Sequence, residues 1–273
     1  MGCPSRSVAS SGSGAGLIRT PELAHRLMQA ARRGIADWTA GQTLRKAGLK
    51  PSRIEQVRGM NLARSGNEAP SRRTIPLSVK TRLGYDRVVI EDWVGHLLAE
   101  QPAVISVHGR TLEQMYRGEA DWTAIELAAR LVQGTDTLLF GNGDVQSLAG
   151  VVRRVRETGV HGVLVGRGVL GNPWFFRKKE MARTASQTGA GFCALDELTD
   201  DRDLAGRFQV MLAHARRFEA LAGRHRFPRM RKHLGWYCKG FPHAAAMRAK
   251  MVRASSSDDV ERIVESFYSV SCV

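Results

Sequence analysis

Long apolar runs are missing from this 273-residue chain: none approaches the roughly 20 residues that a bilayer-spanning helix needs. The opening residues also lack the charged-then-apolar pattern of a secretory leader. Both absences point to a cytoplasmic protein with no membrane partner. Paired cysteines are missing too. Cys3, Cys193, Cys238 and Cys272 stand far apart without C-x-x-C spacing. That excludes a disulfide framework and a cysteine zinc site, so reduced thiols and no metal are expected. A myristoylated start is excluded because Arg6 stands where that pattern needs Ser or Thr.

Acidic residues are scarce. Lysine and arginine number 41 against 26 aspartates and glutamates, a net charge of +15 with a pI near 10.5. An enzyme for a small neutral metabolite has no use for that excess. Two readings stay open: a polyanionic partner, nucleic acid first among them, or an arginine bias of the whole composition. Hydrophobic residues still make up 43%, enough to bury a core, so general disorder is excluded.

What is present is organised around two echoing stretches. Leu138, Leu139 and Phe140 run into Gly141, Asn142, Gly143 and Asp144; Val163, Leu164 and Val165 run into Gly166, Arg167 and Gly168. Each reads as a buried parallel strand, a tight turn and a helix start. Glycine lets backbone N–H groups approach a ligand, and a helix N-terminus favours an anion. Two such units in tandem predict a phosphate-bearing cofactor at the strand ends of a β/α fold.

Strands are expected over 75–82, 103–108, 137–141 and 161–165, and helices over 17–33, 88–100, 122–132 and 145–158. This alternation implies parallel pairing with right-handed crossovers. Residues 1–16 read as a glycine- and serine-rich loop. Residues 34–73, with Arg45, Lys46, Lys50, Arg53, Arg58, Arg64, Arg72 and Arg73, read as a basic insertion whose charges are either solvated or RNA-directed. Residues 182–203 read as a linker. Helices follow at 204–221, 230–238, 244–252 and 260–268, with a basic stretch from Arg224 to His233. Successive strand ends present Lys80, His108, Asn142 with Asp144, and Gly166 with Arg167. In a parallel barrel such residues converge on the ligand. Lysine can neutralise an anionic flavin or a phosphate, histidine can donate to a ring or carbonyl, and arginine beside glycine N–H groups suits a phosphate.

With these residues in place the chain resembles the tRNA-dihydrouridine synthases. The matching stretches begin with Gly2-Cys3-Pro4, Gly14 to Gly16, and Val79 to Gly84. They continue with Val107 to Thr111, Gln114 with Tyr116, and Ala120 to Trp122. The last are Gly141 to Asp144, Val165 to Gly168, Gly171 to Trp174, and Met230 to Leu234 with Trp236, Tyr237, Lys239 and Gly240. The resemblance implies an FMN-dependent oxidoreductase that reduces the C5=C6 bond of uridine in tRNA with NADPH or NADH. It implies that Cys3 is the general acid that protonates C5, and that Lys80, His108, Asn142, Gly143, Asp144, Gly166 and Arg167 contact FMN. Thiols titrate near pH 8.5, close enough to neutrality for that role. The target base must leave the RNA stack, and the cationic helical part would hold tRNA through phosphates and shape.

The implied fold is an incomplete TIM-type (β/α) barrel with a C-terminal all-helical domain. Residues 1–181 would be the C-terminal part of the FMN-binding barrel, with the insertion at 34–73. Residues 182–203 would be the linker and 204–273 the helical tRNA-binding domain. The family's barrel has further β/α units before the Gly-Cys-Pro loop, so the chain reads as starting at an internal methionine, with Cys3 poorly held. Two rivals follow: a non-catalytic RNA-binding remnant, and another phosphate-binding barrel of the dihydroorotate dehydrogenase kind.

Overall fold

The structure, a computed structural model, describes residues 1–66, 72–177 and 204–271. The expected linker, Cys193 and Cys272 lie outside the described residues. Four strands form one parallel sheet in chain order: β1 (Ser78–Arg82), β2 (Val104–His108), β3 (Leu138–Asn142) and β4 (Gly162–Leu164). The parallel pairing expected from the alternation is therefore present. The register aligns Lys80 with Ser106 and Phe140, and Arg82 with His108 and Asn142.

That register gives the sheet two unlike faces, because side chains alternate along a strand and aligned neighbours share a side. Val79, Thr81, Ile105, Val107, Leu139 and Gly141 share one face, and all are buried. Helices α4 (Ile90–Leu98) and α5 (Trp122–Leu131) cover it. Trp93 of α4 donates from Nε1 to Thr81 Oγ1 at 2.8 Å. A Cβ on Gly141 would fall 2.6 Å from the Trp122 ring, so glycine here lets α5 lie close. Asp121 caps α5 by accepting from the Ala124 N–H at 2.9 Å. The opposite face carries Lys80, Arg82, Ser106, His108, Phe140 and Asn142.

β1 is shorter than expected. Pro76 has no N–H to give to a ladder, and the pairing starts where the Ala103 N–H meets the Leu77 carbonyl at 2.8 Å. The opening segment is not a plain loop. It contains helix α1 (Arg6–Ser10) and a 3-10 turn over Gly14–Arg19, whose Ala15 to Ile18 are buried. A Cβ on Gly16 would lie 2.5 Å from the Ala9 carbonyl, which is how the two turns pack. Helix α2 (Pro21–Thr39) starts with Pro21 in its first turn as expected, but the Thr20 side chain makes no capping bond. The basic insertion is partly helical: α2 runs into it, and α3 (Pro51–Ser65) follows Lys50 and ends at Gly66 in the left-handed region.

The chain divides into two units, Met1–Gly143 with Glu157–Leu164, and Asp144–Arg156 with Val165–Val273. In the second, Leu148 and Val152 of α6 (Leu148–Thr158) pack with Phe175. Its helices α7 (Leu204–Ala222), α8 (Arg231–Tyr237), α9 (Ala244–Met251) and α10 (Ser257–Ser271) follow the predicted pattern to within a few residues. Phe208, Met211, Phe227, Met230 and Leu234 form their buried centre. Each such side chain contributes about 1.5–3 kcal/mol by leaving water. Phe208, Phe241 and Phe267 meet edge-on in a triangle with centroids 5.4–5.6 Å apart. Arginines close the loops onto the helices. Arg207 donates to the Lys239 carbonyl, Arg231 to Ala254 and Arg248 to Cys238. Hydrogen bonds from the Ser255 backbone and hydroxyl hold the Asp259 carboxyl down at about 2, so its support for the start of α10 is lost only as pH falls through that value.

Two glycines predict opposite outcomes. Gly171 has φ +75°, and a Cβ there would lie 2.0 Å from the Trp236 carbonyl oxygen. Gly171→Ala should lower the unfolding free energy in urea by about 1–3 kcal/mol. Gly34, inside α2, would meet nothing within 4 Å. Gly34→Ala should leave stability unchanged or raise it by up to about 1 kcal/mol.

Candidate active site

Parallel sheets are usually buried on both faces by apolar side chains. Here the face away from α4 and α5 presents a lysine, an arginine, a histidine and an asparagine, and that departure marks a candidate site. Lys80 reaches over β2, and its Nζ donates to Asn142 Oδ1 at 3.3 Å. Asn142 Nδ2 donates to the Leu164 carbonyl at 2.8 Å, so its orientation is set by β4. Lys80 is exposed as a residue, yet the protein around its ammonium strips enough water to hold its pKa below the usual lysine range. The charge of Arg82 adds to that shift. Lys80 was expected at the strand end; the register puts it two residues earlier, level with Ser106, and Arg82 takes the end position beside His108.

His108 is buried and faces Arg110, whose Nη1 lies 3.4 Å from His108 Nε2. A guanidinium has no acceptor, so in this contact Arg110 is the donor and Nε2 the acceptor. Arg110 also donates to the carbonyls of Arg117 at 3.2 Å and Gly118 at 2.6 Å, which folds the following loop around it. Gly143 has φ +147°, and a Cβ there would lie 2.4 Å from that of Ala120. Its carbonyl accepts from Trp122 Nε1 at 3.1 Å. No other residue fits that turn without a shift.

Cys3 is exposed and well held, contrary to expectation. The Met1 carbonyl accepts from Thr81 Oγ1 at 3.3 Å and the Gly2 carbonyl from Arg82 Nε at 3.0 Å. The Cys3 carbonyl accepts from the Ala15 N–H at 3.1 Å. Arg82 Nη1 donates in turn to the carbonyls of Thr111 at 2.8 Å and Met115 at 3.1 Å. One buried guanidinium therefore ties the Cys3 segment and the loop after β2 to the end of β1. Arg82 and Arg110 were not assigned roles from sequence. The signal for Arg82 was the two-residue spacing from Lys80, which places both on one strand face.

The second unit holds Asp144, Gly166 and Arg167. Asp144 has φ +51°, and its Oδ1 accepts from Arg167 Nη2 at 2.9 Å. Gly166 begins the 3-10 turn Arg167–Val169. In the same unit Arg224, Arg226, Arg229 and Lys232 are exposed, whereas Arg231 is turned onto the Ala254 carbonyl at 2.8 Å. His214 accompanies Tyr237, with Nδ1 3.2 Å from the hydroxyl, and burial lowers the His214 pKa. Among the described residues no cluster of three metal-ligating side chains occurs, and no helix is long and apolar enough to cross a membrane.

The family model described as dihydrouridine synthase matches residues 64–270. A probable tRNA-dihydrouridine synthase 2 of Bacillus subtilis is 29% identical over 270 residues, covering 98% of this chain and 66% of that protein. A probable tRNA-dihydrouridine synthase of Mycobacterium tuberculosis is 32% identical over 195 residues, 70% of this chain and 47% of the relative. The tRNA-dihydrouridine synthase B of Xanthomonas axonopodis is 28% identical over 264 residues, 94% of this chain and 63% of the relative. The chain thus spans just under two thirds of the length of the first of these relatives.

The two described thiols should separate cleanly. Burial pushes the Cys238 thiol up to about 11, so only about a thousandth is thiolate at pH 8. Iodoacetamide at pH 8 followed by peptide mapping should modify Cys3 within minutes and spare Cys238. Equal labelling of both in the folded protein would refute this placement.

Proposed function

The chain belongs to the dihydrouridine synthase family, and from that premise we propose that it reduces the C5=C6 bond of uridine in tRNA to dihydrouridine. The observation that supports this reading most is the Met1–Cys3 segment tied to β1 through Thr81 and Arg82, beside the Lys80, His108 and Asn142 face. An exposed thiol held by its own backbone is what a proton donor to an incoming base requires. Cys3 is the proposed general acid toward C5.

FMN is the proposed cofactor, and the residues present fit it. Lys80 offers a cation beside a half-buried amide, and the Gly143 turn excludes any side chain that would keep a ligand from the backbone. Lys80, His108, Asn142 and Gly143 are assigned to FMN contact in the first unit, and Asp144, Gly166 and Arg167 in the second. Asp144 orients the Arg167 guanidinium, whose fork geometry suits a phosphate. When bound, FMN reduced by NADPH or NADH supplies the hydride for C6. Arg82 and Arg110 keep the loops that border this face in place. The four-stranded sheet is proposed to be part of a TIM-type barrel. The helical part of the second unit is proposed to hold tRNA through Arg224, Arg226, Arg229 and Lys232. A cytoplasmic location follows from a tRNA substrate.

Purified protein is expected to carry a flavin absorbance through gel filtration and to form dihydrouridine in unmodified tRNA supplied with NADPH. Colourless protein that still binds tRNA would favour the binding-only reading instead. Cys3→Ala should cut dihydrouridine formation by about 100-fold or more while the flavin absorbance persists; equal activity would remove Cys3 from the chemistry. Arg167→Ala should weaken FMN retention by about tenfold or more, and unchanged affinity would refute its assignment.

A further inference from the structure

We infer that the helical excursion between α2 and β1 is a separate grip for an RNA phosphate backbone. This deepens the tRNA-directed reading, which supplies the identity of the RNA. Helix α3 buries none of its residues, so core packing does not account for it. A helix of 15 residues without a buried face is marginal in water, and its stability is then available for a partner to increase.

Its charge favours a polyanion. Residues 34–73 hold eight lysines and arginines against three acids. Arg53 and Arg64 are eleven positions apart, which returns them to within about 20° on a helix, and Glu55 points about 160° away from Arg53. Arg53 and Arg64 are exposed, and among the described residues neither is in an ion pair. Exposed Met60 and Leu62 stand about 160° apart, so the helix lacks the single apolar face that a membrane surface would need.

Beside this face lies a cleft of about 430 Å³ whose lining includes Trp38, Arg45, Arg58, Asn61, Arg72 and one acid, Glu55, which pairs with Arg58 at 3.9 Å. Arg72 stacks over the Trp38 ring at 4.5 Å and donates to the Trp38 carbonyl, which fixes the mouth of the cleft. The Nδ2 atom of Asn61 is buried there without a hydrogen-bond partner among the described residues. Cations with an amide donor and an aromatic wall are the chemistry that takes a nucleotide phosphate and its base.

The test measures the full chain's affinity for unmodified tRNA and for an unrelated RNA hairpin between 50 and 200 mM salt, roughly the range over which counterion release is read. Arg53→Gln/Arg64→Gln should weaken binding about tenfold and flatten the log–log salt slope by about 1.4–1.8 on both RNAs. The control Arg130→Gln/Arg153→Gln removes the same charge from exposed sites on α5 and α6 and should keep the wild-type slope. Equal flattening in both variants overturns the grip, as does an unchanged slope or a loss confined to phosphatidylserine vesicles. Dihydrouridine formation, followed in parallel, separates the two claims. Lost slope with or without uridine reduction supports the grip. Intact reduction with an unchanged slope overturns the grip and leaves the synthase reading standing.

Discussion

Alternation along parallel strands is the constraint on which the rest of the first unit depends. Because residues two apart share a face, placing Val79, Ile105 and Leu139 under helices obliges Lys80, Ser106 and Phe140 to face the other way. The same step carries Thr81, Val107 and Gly141 inward and Arg82, His108 and Asn142 outward. A slip of β1 by one residue would bury Lys80 under α4 and expose Val79. Folding the core and assembling the polar face are therefore a single event. The hydrophobic effect selects the register, and the register aligns the polar groups of the opposite face.

Arg82 extends that alignment beyond the sheet. Its three carbonyl partners belong to two segments far apart in the chain, Gly2 in one and Thr111 with Met115 in the other, and each would leave a polar group to be satisfied elsewhere if the guanidinium were lost. Arg110 plays a similar part around His108. Both side chains are buried, and both donate to backbone carbonyls, so oriented dipoles help to hold the loops.

Much of the architecture was legible in residue order. Val104 to His108 and Leu138 to Asn142 are short apolar runs ending in polar or glycine residues, and their strands appear within a residue of the expected bounds. The early segment was not legible. Arg6 to Ser10 carries no apolar period, and its turn exists because Gly16 lets Ala9 approach. Helix α3 falls within the stretch read as a basic insertion, and it was not expected for the matching reason: it buries nothing, so no period of burial is written into it. At the site, composition showed which polar residues stood near strand ends. It could not show that Arg82 bonds backward to Gly2, a contact across 80 positions, since carbonyl partners leave no trace in side-chain identity.

The arginine clamps have an electrostatic consequence. Arg82, Arg231 and Arg248 hold carbonyls, which are neutral. A clamp made this way cancels no charge. Each adds a full unit to the potential around the protein even where no ligand can touch it, and burial in a weakly polarisable interior lengthens the reach of that field. Part of the +15 excess is therefore scaffolding that also acts at a distance. The residues that keep the loops shut raise the rate at which a polyanion arrives, without taking part in holding it.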